Sequence, residues 1–181
     1  AALEGMRLAS AFFGKGQFVS ETLEKNGDTY ILSSKVEGPY YQPFPKERIP
    51  ADGHGWSLPR TERRRSEVQT LNTKVFITPQ GSQAVVRVEV NGPENLPVAL
   101  ELAFRSGGIL QNVREKSGLA KAWLPQNESN VVYQNGDDTI TVGPAKVAHK
   151  WVELRGALPK LDADCVYFTG YAPCTFEFIV R

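Results

Sequence analysis

The sequence predicts an all-β fold, an antiparallel β-sandwich of jelly-roll type with about ten strands and one long Pro-rich loop. Three observations carry this. Short runs rich in Val, Ile, Thr, Tyr and Phe recur at a spacing of about 8–12 residues, Gly, Pro and Asn punctuate them, and no helical period recurs between them. No internal repeat or low-complexity tract interrupts the pattern.

At the start, Leu3, Met6, Leu8, Phe12 and Phe13 fit a short helix or an irregular lead-in, which Gly14 and Gly16 stop. Residues 1–16 are therefore set apart from a single sandwich domain over 17–181. Strands follow at Phe18–Leu23 and Thr29–Val36. Asn26-Gly27 between them is a strong hairpin signal, since both residues accept the positive φ of a type I′ turn. Further strands are expected at Glu67–Ile77, Ala84–Val90 and Val98–Phe104. In the second of these Val86, Val88 and Val90 face inward and Arg87 and Glu89 outward, so one face is wet. Val98, Leu100, Leu102 and Phe104 share a face in the next run, and Asn91-Gly92-Pro93 is read as the link of a meander joining the two.

A second hairpin joins Asn130–Tyr133 to Asp138–Val142 through Asn135-Gly136. The last strands fall at Trp151–Arg155, Cys165–Thr169 and Thr175–Val180, with Leu158-Pro159-Lys160 as a corner. Gly38 to Pro59 breaks this rhythm. It carries Pro39, Pro43, Pro45, Pro50 and Pro59 with Gly53 and Gly55, which no central strand tolerates. It also holds Tyr40, Tyr41, Phe44, His54 and Trp56, so it reads as an ordered loop and not a linker.

Composition narrows the function classes. Hydrophobic residues are 41% and charged residues 23% of 181, enough apolar material for a core. Twenty-one basic residues against twenty acidic ones give a net charge of +1. That removes the long-range field of a nucleic-acid binder, so any anion site is local and no nucleic-acid partner is expected. No apolar run is long enough to span a membrane, and Ala1-Ala2-Leu3-Glu4 lacks the pattern of a signal peptide. The chain begins without Met and reads as a fragment of a larger bacterial-type protein. Cys165 and Cys174 flank a segment with a Gly and a Pro, which permits either a tight turn closed by a disulfide or two buried thiols. A disulfide suits a secreted or periplasmic protein, the expected location.

Four groups of residues bear on chemistry. Tyr40, Tyr41 and Trp56 are candidates for a carbohydrate platform, because sugar rings present apolar C–H faces to flat aromatic side chains. The alternative for any aromatic residue is the core, and Trp151, in an apparent strand with Val152, is read that way. In Arg60–Glu67, Arg63 and Arg65 share a face if the segment is a strand and can hold carboxylate or sulfate; the alternative is a charged edge strand. Asp137-Asp138, Asp162 and Asp164 are candidate calcium ligands or ordinary turn residues, and no cofactor or metal is assigned. The sequon Asn127-Glu128-Ser129 permits glycosylation.

Two resemblances extend this reading. Arg60–Glu67 is similar to the Arg- and Glu-containing strand of jelly-roll alginate lyases, which implies proton removal next to a uronate carboxylate. The Gln-x-His and Tyr-Lys-rich strands of those enzymes are not found here, so no base or acid carries over. His54, His149, Tyr40 and Tyr41 are the only pool for a base. The C-terminal run Asp138–Pro144, His149-Lys150-Trp151, Leu154–Ala157 and Val166–Gly170, with Gly38–Pro43, resembles the C-terminal β-sandwich of bacterial heparinase II/III-like polysaccharide-degrading proteins. It implies an accessory role in glycan processing beside a catalytic domain of the parent chain. The leading expectation is a non-catalytic carbohydrate-binding domain contacting an oligosaccharide or polysaccharide, acidic ones included, through Tyr40, Tyr41, Trp56, Arg63 and Arg65. The alternatives are a structural domain packed on a toroid, with an apolar patch at Phe12 and Phe13, or a uronate lyase.

Overall fold

A computed structural model describes residues 2–13, 20–55, 58–153 and 161–181. It is a β-sandwich of two sheets, as the sequence predicts. Its strands are β1 (Leu3–Ser10), β2 (Thr22–Asn26), β3 (Thr29–Tyr41), β4 (Arg65–Gln80), β5 (Gln83–Asn91), β6 (Leu96–Arg105), β7 (Ile109–Gln111), β8 (Val113–Glu115), β9 (Ala122–Pro125), β10 (Val131–Asn135), β11 (Asp138–Gly143), β12 (Ala163–Ala172) and β13 (Cys174–Val180). The smaller sheet runs β1-β6-β12-β9-β8 and the larger β2-β3-β4-β5-β13-β11-β10-β7. Pairing is antiparallel except between β9 and β12.

The core lies between the sheets. Leu8 of β1, Val98, Leu100, Leu102 and Phe104 of β6, and Val166 and Phe168 of β12 face Leu71, Val75, Val86, Val88, Val90, Phe176 and Phe178 of the larger sheet. In β5 the alternation works as expected: Val86, Val88 and Val90 are buried, while Arg87 and Glu89 remain partly exposed and pair with each other. Each fully buried Val or Phe removes side-chain surface from water worth about 1.5–3 kcal/mol.

Five expectations need correction. Leu3–Ser10 is a strand and not a helix or lead-in: Met6, Leu8 and Ser10 turn inward opposite Leu102, Leu100 and Val98, while Arg7 and Ala9 turn outward. The small side chains of Ala9 and Ser10 hide this period of two in the sequence. β5 and β6 do not form a meander. β5 pairs with β4 and β13, β6 with β1 and β12, and the corner through Gly92, with Asn95 at φ 58°, carries the chain from one sheet to the other.

The two hairpins exist, but each turn is centred one residue later. Asn26 pairs with Thr29 and Asn135 with Asp138, so Gly27-Asp28 and Gly136-Asp137 are the central pairs. Only the glycines are left-handed, at φ 58° and 60°, which matches type II′ and not I′. The fourth correction concerns Gly38–Tyr41, which belongs to β3. A bulge there sets Pro39 against Glu67 and Val68, with Glu67 at φ 48°, and this is where a proline is tolerated. The Pro-rich loop proper therefore begins at Gln42.

The fifth is that Trp151 and Val152 lie outside any strand. The expected corner at Leu158-Pro159-Lys160, the start of the Phe18 run and the end of the Trp151–Arg155 run lie outside the described residues.

Candidate functional site

The loop from Gln42 to Arg64, called the arm below, joins β3 to β4, and its base is tied by polar contacts. The Gln42 amide N–H donates to the Arg64 carbonyl at 2.8 Å, and Gln42 Nε2 donates to Ser66 Oγ at 2.6 Å. Arg63 donates Nε–H to the Gln42 carbonyl at 2.7 Å and Nη2–H to that of Tyr41. Its guanidinium lies 6.0 Å from the Tyr41 ring centre. Arg63 thus clamps the arm, and this contact with the backbone is not visible in a run of three arginines.

Farther out, a short 3-10 turn at Lys46–Arg48 follows Pro45, and a second at Arg60–Glu62 brings Glu62 onto Arg48. Arg48 also stacks 5.0 Å from the Phe44 ring centre. The result is an open groove of about 630 Å³ whose walls include Pro43, Phe44, Lys46, Arg48, Arg63 and Arg64. Glu62 is the single carboxylate in that lining and is neutralised by Arg48. The side chains of Lys46 and Arg64 have no hydrogen-bond or ion-pair partner among the described residues. An unpaired ammonium and guanidinium beside an aromatic ring can bind a carboxylate or sulfate while the ring covers an apolar face.

The five sequence-predicted residues divide. Tyr41 lies directly across from Arg65 on the same face, with Arg63 beside it, so these three come together. Tyr40, next in an alternating strand, turns to the other face and packs on Phe12 with ring centres 4.7 Å apart. Tyr40 and Tyr41 therefore face opposite ways, and the two residues are 49% and 44% exposed. Trp56 lies outside the described residues. Arg63 and Arg65 do not share a strand face, because β4 starts only at Arg65. Phe13 is buried and Phe12 stacks edge-on against it at 5.0 Å.

Two further clusters escaped the sequence. The first spans three neighbouring strands of the smaller sheet. Arg7, Glu101 and Tyr167 occupy one rung of β1, β6 and β12, so their outward side chains must meet. Arg7 Nε–H donates to Glu101 Oε1, and Tyr167 Oη–H donates to Oε2 at 2.8 Å. They border a pocket of about 110 Å³ floored by Ala9, Ala99, Ala122 and Cys165. Burial, together with the Glu101 carboxylate that takes its proton in a hydrogen bond, pushes the Tyr167 phenol far up. Burial and the same carboxylate push the Cys165 thiol up to about 11. These groups hold their protons and tie the sheet together.

The second cluster is aromatic. Trp151 is 57% exposed, against the expectation of a core side chain, and lies with Tyr171 around His149. No local pattern announces it, since Tyr171 comes from the far end of β12. Of the acidic candidates, Asp137 lies in a turn, Asp162 pairs with Lys121, and Asp164 accepts from Trp123 Nε1 at 3.4 Å. Among the described residues no group of three or more His, Cys, Asp or Glu side chains gathers to hold a metal.

Cys165 and Cys174 are free, not joined. The segment between them is no tight turn but the continuous strand β12, with seven residue steps from Cys165 to Ala172, about 23 Å at the usual rise. The chain matches no protein-family model, and comparison with curated proteins and with solved structures finds no match either.

Proposed function

We propose that this domain is a non-catalytic module that binds acidic glycan through the arm groove and Tyr41, as an accessory to polysaccharide processing outside the cytoplasm. The observation that carries the reading is the pair Lys46 and Arg64, without a partner among the described residues, lining the same groove as Phe44 with four cations and one neutralised carboxylate. Local positive charge on a chain of net charge +1 selects for an anion at that place and not for polyanions at large. Arg65 and the Tyr41 ring extend the same surface along the β3–β4 hairpin.

Affinity electrophoresis and calorimetry against uronate-containing, sulfated and neutral polysaccharides test the reading. Binding to an acidic member that weakens with salt, and that falls about tenfold or more in the Lys46→Ala/Arg64→Ala double variant, is the expected result. Absence of binding to every acidic glycan at low salt overturns it.

A further inference from the structure

We propose that Trp151 and Tyr171 form a second subsite, which takes one neutral hexopyranose unit. The proposal rests on the glycan reading for its ligand class, but on separate residues. The two rings stand almost at right angles, 85° between planes and 6.5 Å between centres, so they make the two walls of a corner. His149 fills the apex behind them, 5.3 Å from Trp151 and 5.0 Å from Tyr171.

The corner is held rigidly from below. His149 is buried, its Nε2–H shared between the carbonyls of Val98 at 3.2 Å and Gly170 at 3.0 Å, and its Nδ1 accepts the Trp151 N–H at 3.2 Å. Thr169 fixes the same segment from both sides: its Oγ1 accepts the His149 N–H at 3.1 Å and donates to the His149 carbonyl at 2.7 Å. Exposed tryptophans on flexible loops are common enough to need no account. Here a polar imidazole is buried in order to support a large indole that stays outside, although burial of an indole is strongly favoured.

The polar tips decide the ligand. Neither Trp151 Nε1–H nor Tyr171 Oη has a partner among the described residues. An apolar peptide side chain fills the corner but leaves both tips unanswered. A pyranose offers polarised C–H groups to the negative ring face and hydroxyls at its rim to the indole donor and the phenol. The corner is built from an indole, a phenol and a buried imidazole, and the polar tips it offers are neutral donors and acceptors, which suits an uncharged sugar.

The experiment uses the intact chain with cellohexaose, maltohexaose, mannohexaose and laminarihexaose as probes, read by calorimetry and by the indole N–H resonances of the three tryptophans. The expected result is a shift of the Trp151 indole signal with at least one probe, and affinity about tenfold weaker in Trp151→Ala, recovered in part by Trp151→Phe. Lys46→Ala/Arg64→Ala should leave that neutral binding unchanged. An unmoved Trp151 signal with all four probes, while acidic glycan still binds the arm, overturns the subsite alone. A moved signal with no acidic binding overturns the arm and upholds the subsite.

Discussion

The Trp151 backbone N–H donates to Nδ1 of His149, and this one contact fixes the tautomer of a buried ring. With Nδ1 accepting, the proton sits on Nε2 and points at two carbonyls, so the imidazole is neutral. Burial lowers its pKa from 6.5, and the carbonyl contacts with Gly170 and Val98 oppose that shift without overcoming it. The unfolded chain therefore takes up a proton before the folded one does. Stability is full above pH 6.5 and is lost as pH falls from there toward the folded value, at a slope of up to about 1.4 kcal/mol per pH unit. Urea midpoints measured across this range should fall in the parent chain and stay flatter in His149→Gln. An identical slope in both would refute the assignment.

Tyr167 contributes in the opposite direction of pH. Its phenol donates to the buried Glu101 carboxylate, which also pairs with Arg7, so Tyr167→Phe should cost about 1.5–3 kcal/mol. Because the folded pKa lies above the ordinary value of 10.0, the unfolded chain loses its proton first. The contribution is complete below pH 10 and declines as pH rises above it. Chemical denaturation should show a shallower alkaline decline in Tyr167→Phe, the remainder coming from groups such as Cys165. In a Glu101→Gln background the Phe substitution should cost measurably less, since the two side chains share one interaction.

The cysteines give a mass-spectrometric prediction. Without reductant, unfolded protein should take up two equivalents of alkylating reagent, one each on Cys165 and Cys174. In the folded state at about pH 8 both should react slowly, because burial raises both thiols and Cys165 reaches about 11. A mass unchanged by alkylation after unfolding would mean a disulfide.

How far the sequence could be read depends on range. β5, β10, β11 and β13 are legible because alternation is a local signal, and Val86, Val88 and Val90 show it plainly. The pairing of β5 with β13 is not, since nothing in Asn91-Gly92-Pro93 says whether a turn closes a hairpin or crosses between sheets. β7, β8 and β9 are three or four residues long, too short for a period to register. At the arm, the proline and aromatic density marks a loop and not a central strand, but not which arginine clamps and which stays open. Arg63 and Arg64 are neighbours in sequence and differ only through the carbonyls that one of them reaches. The Arg7–Glu101–Tyr167 rung and the Trp151–Tyr171 corner each join residues 20 or more positions apart, so only the fold reveals them.

Gly108 offers a test of how tightly the edge of the core is packed. A Cβ placed there would overlap the Cζ, Oη and Cε2 atoms of Tyr133, whose ring is held in place. That ring is buried, stacks on Phe104 at 5.2 Å and donates its hydroxyl to the Arg105 carbonyl at 2.6 Å. Gly108→Ala must displace either the stack or the hydrogen bond, and should destabilise by about 1–3 kcal/mol. Gly5 is the matched control: a Cβ there meets nothing within 4 Å and its φ is ordinary. Gly5→Ala should be neutral or stabilise by about 0.4–1 kcal/mol through the unfolded chain. Urea midpoints at unchanged m-value measure both. Equal effects from the two substitutions would show that Tyr133 is not held where the stack and the hydrogen bond place it.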